Sequence, residues 1–174
     1  MYENNDYTNY VTGHKSNLDK VWNAMIPILV EKYNVPPPVI EVITKNIANH
    51  DASKSSPEEF EAYARHWYPE DGKKPNKESD EYKMAWLHHM QNNKHHWNHW
   101  IIVDSKTEFE AVEMPFIYIM EMLVDWSAQG LNPGSEGVKK WYNDNKKDFI
   151  MHKNTTKFIK MFIDSFDTIT KLLI

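Results

Sequence analysis

Cysteine is absent from this chain of 174 residues, arginine occurs once, at Arg65, and glycine only five times. Without cysteine there are no disulfides and no thiolate ligands, so any ion must be held by His, Asp or Glu, and the chain suits a reducing compartment. A single arginine and a formal net charge of -5 leave no broad basic surface, which excludes sequence-specific nucleic-acid binding from the expectations. No apolar run approaches the roughly 20 residues of a membrane span. Residues 1–13 are polar and tyrosine-rich, and they lack the positive start and apolar stretch of a signal peptide. The expected location is therefore the cytoplasm, with no membrane partner. The shortage of glycine and of turn clusters argues for helices over strands. What is present is a composition 41% hydrophobic and 13% aromatic, enough for one core at this length, together with nine histidines.

Periodicity predicts an all-α, single-domain helical bundle of about six to seven helices over residues 14–174, preceded by a polar segment at 1–13. Ser16 with Asp19 three residues on makes a capping-box-like start, and Leu18, Val21, Trp22, Met25, Ile26 and Leu29 then recur at helical spacing. Pro27 predicts a kink or an early stop. Pro36-Pro37-Pro38 is a rigid connector that supplies the start of a second helix, with Ile40, Ile43, Ile47 and His50 along one face. Ser56-Pro57-Glu58-Glu59 predicts a third start, with Phe60, Tyr63, Ala64 and Trp67 buried, and the charged stretch 69–78 reads as an exposed loop. Ser79 caps a long helix over 80–100 whose core stripe is Tyr82, Trp86, Met90, Asn93, Trp97 and Trp100. Residues 101–113 lack a helical period and are expected as a loop or a short extended piece. Pro115 opens a mostly buried helix that Gly130 ends. Ser135 begins a short polar helix, and Thr155 or Thr156 a last one whose apolar stripe packs the bundle or offers a homodimer face.

The candidate chemistry lies in His50-Asp51-Ala52-Ser53-Lys54. A His followed by an Asp offers one neutral nitrogen and one anionic oxygen, a mixed set suited to divalent ions. The bland alternative is an Asp capping the next turn beside a surface His. It is outweighed by His14 upstream, by five histidines within 88–99, and by Asp125 among apolar residues, where an unpaired carboxylate is costly. Lys54, in the turn between two helices, is placed near the ion. On the histidine helix, His89 and His96 border the core stripe, while His88, His95 and His99 turn away. Seven residues of helix rise about 10.5 Å, a long span for two ligands of one ion. Either the helix breaks or one of the pair serves substrate; His95 with His99, or His96 with His99, has the usual spacing of helical ligands. Glu121, one turn before Asp125, lines the same pocket.

The order His14, His50-Asp51, His89, His96, Asp125 resembles the HD-domain superfamily of metal-dependent phosphohydrolases over residues 14–128, and His50 to Lys54 is similar to its HD-x-x-K form. His50-Asp51-Ala52-Ser53-Lys54, His95-His96-Trp97, Met114-Pro115 and Glu121-Met122-Leu123-Val124-Asp125-Trp126 resemble still more closely an uncharacterised family of phages and Gram-positive bacteria, which brings no established activity. The first resemblance implies an HD-like fold in which His14, His50, Asp51 and Asp125 hold one divalent ion and His89 and His96 a second, with Asp51 shared. The ions implied are Mn, Fe, Zn, Ni or Mg. It implies hydrolysis of a phosphate ester in a small molecule, a nucleotide or cyclic nucleotide, with Asp51 and Lys54 catalytic and Lys54, His95 and Glu121 facing substrate. Two further readings accompany it: an HD-fold di-iron oxygenase, and a phage-type protein that sequesters a nucleotide or a host partner without turnover.

Overall fold

A computed structural model describes residues 5–69, 78–105 and 107–174. The loop expected at 69–78 lies almost entirely outside them. Among the described residues the regular structure is seven α-helices and one two-stranded hairpin, so the fold is all-α.

Helix α1 (Asn5–Glu31) starts well before Ser16, and it does so because Tyr7, His14, Leu18, Val21, Trp22, Met25 and Leu29 form one buried stripe at helical spacing. The first members of that stripe are a tyrosine and a histidine, which makes the segment read as merely polar. Pro27 does not stop the helix, which runs on to Glu31. Asn23 and Pro27 are both exposed, so the Asn23 carbonyl that loses its backbone donor faces water. Helix α2 (Pro37–Ala48) has prolines in its first turn, as expected, and buries Ile40, Ile43 and Ile47. After it the chain passes His50 and Asp51 into a short 3-10 turn, Ala52–Ser55.

Helix α3 begins only at Phe60 (Phe60–Trp67), because Glu59, expected within the first turn, is fully buried and turned toward two histidines. Trp67 is 44% exposed rather than buried. Helix α4 (Asp80–Asn92), capped by Ser79 as expected, ends eight residues short of the predicted stop. Asn92 and Asn93 cause the break: each side-chain amide donates to a carbonyl one turn back, His88 O at 2.9 Å and His89 O at 2.8 Å. Such local bonds compete with the helical ladder. The predicted tryptophan stripe is only half-buried, and Ala85 and His89 face inward instead.

A 3-10 turn (Trp97–Trp100) leads into an antiparallel hairpin, β1 (Ile101–Val103) and β2 (Phe109–Ala111), with Ile102 opposite Glu110. Helix α5 (Phe116–Gln129) follows Pro115 as predicted. Its residues 119–124 are buried without interruption, so it needs cover on every side. That cover comes from α1, α2 and α7 (Lys153–Leu173), with α6 (Val138–Asn145) packed on α7. Leu123, Met25, Ile43, Ile159 and Phe166 meet in this main core, each side chain contributing roughly 1.5–3 kcal/mol by leaving water. A smaller cluster joins Tyr7 of α1 to Tyr63, Ala64 and Ala85 of α3 and α4. His14 lies between Tyr7 of the small cluster and Leu18 of the main one, and the candidate site occupies that junction.

Candidate metal centre

Four segments deliver the site. His14 comes from the middle of α1 and Asp125 from α5. His50 and Asp51 follow α2, where Asp51 takes a left-handed conformation, φ 53° and ψ 27°. His89 is on α4, and the helix break then folds His95 and His96 back beside it. Of the two alternatives left by the 10.5 Å rise, the structure takes the first: the helix breaks. Three overlapping groups could hold an ion, with ligand atoms within 4.8 Å of one another: Asp51, His89, His95 and His96; His14, His50 and Asp125; and His50, His95 and Glu121.

Asp51 stands at the centre. Its Oδ1 lies 3.3 Å from His89 Nε2 and 3.4 Å from His95 Nε2, while its Oδ2 lies 3.3 Å from His50 Nε2 and 2.7 Å from Lys54 Nζ. On the other side, Asp125 Oδ1 is 3.1 Å from His14 Nε2 and 3.7 Å from His50 Nε2. The opposite ring nitrogens are tied to carboxylates. His50 Nδ1–H donates to Glu121 Oε1 at 3.0 Å, and His95 Nδ1 lies 3.1 Å from the same oxygen. His89 Nδ1–H donates to Glu59 Oε2 and His88 Nδ1–H to Glu59 Oε1, both at 2.7 Å. A carboxylate only accepts, so the imidazoles of His50 and His89 carry a proton on Nδ1 and, with His95, direct Nε2 toward Asp51, the arrangement found behind metal-bound histidines.

The residues fit divalent ions on two observations. The buried Nε2 atoms of His14, His50, His95 and His96, and Asp51 Oδ1, make no hydrogen bond. Such a cluster of unsatisfied buried groups is costly unless something else pairs with them. In addition, four largely buried carboxylates, Asp51, Glu59, Glu121 and Asp125, are gathered here; Lys54 pairs with Asp51, and the other three are met by imidazoles. That charge calls for cations, and a nitrogen and oxygen donor set without sulfur suits Zn, Mn, Fe or Ni.

The charges shift one another in consistent directions. Burial works to protonate Asp51, but His50 and Lys54 override it and hold the carboxyl well below the ordinary range. Asp125 is lowered likewise, burial being outweighed by His14 and His50. Burial lowers His96, reinforced by His95 and His89, well below the usual imidazole value. His96 is thus neutral, with a lone pair to offer.

All six predicted ligands, His14, His50, Asp51, His89, His96 and Asp125, are brought together. Two residues assigned to substrate are placed otherwise. His95 is buried, with Nε2 on Asp51, and belongs with the candidate ligands because the helix break reverses its direction. Glu121 is behind the imidazoles of His50 and His95 and does not line the open cleft. His99 turns away, its Nδ1 2.9 Å from the Met90 carbonyl, which removes both pairings that used it. Glu59 was missed, since Ser-Pro-Glu-Glu reads as a helix cap; its signal would have been a glutamate able to reach a double histidine. A cleft of about 200 Å³ opens onto the centre, lined by Asp51, Lys54, His89, His96 and Asp125 and walled by tyrosines and tryptophans.

No curated protein and no solved structure matches the chain. The model of a family of unknown function, DUF5662, matches residues 3–165, nearly the whole sequence, and the chain belongs to that family.

Proposed function

We propose that the protein is a metal-dependent phosphohydrolase of HD type acting on a phosphate ester of a small, nucleotide-like molecule. The observation that carries this reading is the convergence of four buried imidazoles, His14, His50, His89 and His95, whose Nε2 atoms all lie 3.1–3.4 Å from Asp51 or Asp125, with a lysine at the mouth of the same centre. Two divalent ions there would supply a water deprotonated near neutral pH and positive charge opposite the phosphoryl oxygens. Asp51, with one oxygen toward His89 and His95 and the other toward His50, joins the two halves of the centre. Glu59 and Glu121 fix the imidazoles. Burial opposes the charge of Lys54, but Asp51 beside it overrides burial and holds the ammonium above the ordinary lysine range. Lys54 therefore stays charged in the cleft, where it offsets negative charge developing on a phosphate oxygen.

The test pairs elemental analysis of untagged protein with product analysis under anaerobic conditions. Near-stoichiometric Mn, Fe, Zn or Ni that disappears in Asp51→Ala, with phosphate or a phosphomonoester released from a nucleotide panel, supports the reading. Oxygen uptake by an iron-loaded sample with no phosphate chemistry would move it to a di-iron oxygenase. Nucleotide bound tightly and recovered unchanged would move it to sequestration. A protein that takes up no ion after reconstitution ends all metal-based readings.

A further inference from the structure

The centre is bordered by two clefts rather than one. The aromatic cleft, about 200 Å³, meets Asp51 and Asp125. A neighbouring cleft of about 310 Å³ is lined by His14, Gly13, Ser16, Asn17, Lys20 and Asn132, and is polar where the first is aromatic. Tyr10 and Gln129 line both clefts, and Gln129 Nε2 donates to Tyr10 Oη at 3.2 Å, forming the partition between them. His14, at the polar cleft, has its Nε2 3.1 Å from Asp125 Oδ1, at the aromatic cleft. Of the candidate ligands, His14 lines the polar cleft and Asp125 the aromatic one, so this pair lies where the clefts adjoin. Pockets for ligands of nucleotide size run from roughly 300 Å³ upward, and the aromatic cleft alone falls short of this.

Gly13 points to use of the second cleft. It sits inside α1, where glycine weakens a helix. Packing does not demand it, since a Cβ built there meets nothing within 4 Å. Gly13 lines the polar cleft beside His14, and a side chain there would meet open space.

We infer that the polar cleft is the second arm of the substrate site, and that the substrate is an unsymmetrical phosphodiester. This rests on the phosphohydrolase reading above. A monoester carries one organic group and would fill one cleft; a diester carries two. Its aromatic group lies against the tyrosine and tryptophan wall near Lys54, and its hydroxyl-rich group lies among Ser16, Asn17, Lys20 and Asn132. In the reaction the oxygen of water bonds to phosphorus, the bond from phosphorus to one ester oxygen breaks, and that oxygen leaves with the electron pair and takes the proton. The products are a phosphomonoester and an alcohol.

The experiment compares two probes on metal-loaded full-length protein: p-nitrophenyl phosphate, which has the aromatic arm alone, and the p-nitrophenyl ester of thymidine 5′-monophosphate, which adds a sugar-bearing arm. The diester should have the higher kcat/KM, by about tenfold or more, and Gly13→Leu should cut the diester-to-monoester ratio about tenfold, through the diester KM. Damage to folding or metal loading would lower both rates and leave the ratio alone; elemental analysis and circular dichroism of the variant check this directly. Lys20→Glu, on the exposed rim, should lower the same ratio without touching the core. A preference for the monoester, or a ratio unmoved by both variants, overturns the two-arm site and leaves the phosphohydrolase reading standing. Turnover of neither probe by a metal-loaded protein overturns both.

Discussion

Asp51 is required for its side chain and its backbone at once. Its left-handed conformation costs an ordinary L residue about 1–2 kcal/mol, while Asp and Asn tolerate it. Asp51→Asn should thus keep most of the fold and lose bound metal, whereas Asp51→Val should lose metal and a further ~1–2 kcal/mol of stability. Elemental analysis and urea unfolding separate the two effects. Glu59→Gln should weaken metal affinity by about 10–100-fold, since it loosens His89 without removing a ligand; a competitive chelator titration reads the change. At this scale the sequence exposed what adjacency exposes. His50 and Asp51 are neighbours in the chain and announce themselves. Glu59 serves a histidine 30 residues away, in a segment whose local pattern has a complete explanation as a helix cap, so nothing local pointed to its use.

Helices were legible where the apolar stripe was aliphatic and obscured where it was not. α5 and α7 follow their Ile, Leu and Phe periods, but the first turns of α1 hide behind Tyr7 and His14. The end of α4 was hidden for another reason: two asparagines bond back to carbonyls and stop a helix whose apolar period continues past them. That one local break decides which histidines reach Asp51. A different local device fixes α6. Asp167 of α7 accepts the backbone N–H of Lys139 at 3.1 Å, capping α6 from outside, and Gly137, at φ 92°, leaves room for it. A Cβ at Gly137 would stand 2.5 Å from Asp167 Oδ1. Gly137→Ala should therefore cost about 1–3 kcal/mol, from backbone strain and a displaced cap together, measured as a lower urea midpoint with unchanged metal content.

Across the whole molecule, burial raises the pKa of Tyr7, Tyr63 and Tyr142 above the ordinary phenol value of 10.0. The unfolded chain loses these protons from about pH 10, while the folded chain retains them. Their contribution to stability is complete below pH 10 and is lost as pH rises through the folded values. Urea midpoints should hold steady to about pH 9 and fall steeply above pH 10; Tyr142→Phe should flatten part of that fall. The all-α architecture was readable from composition and period, because both report burial averaged over many residues. The gathering of His14, His50, His89 and Asp125 around Asp51 was expected from the order of these residues, but the inward turn of His95 and the part played by Glu59 were not, because they depend on a local helix break and on how distant segments cross. Those segments span more than a hundred residues of chain, and an ion among them would act as a clasp across every loop they enclose. To unfold, the chain would first have to let the ion go. Because rebinding competes with opening, the lifetime of the folded molecule in the presence of a protease would lengthen as free metal in the surrounding fluid rises.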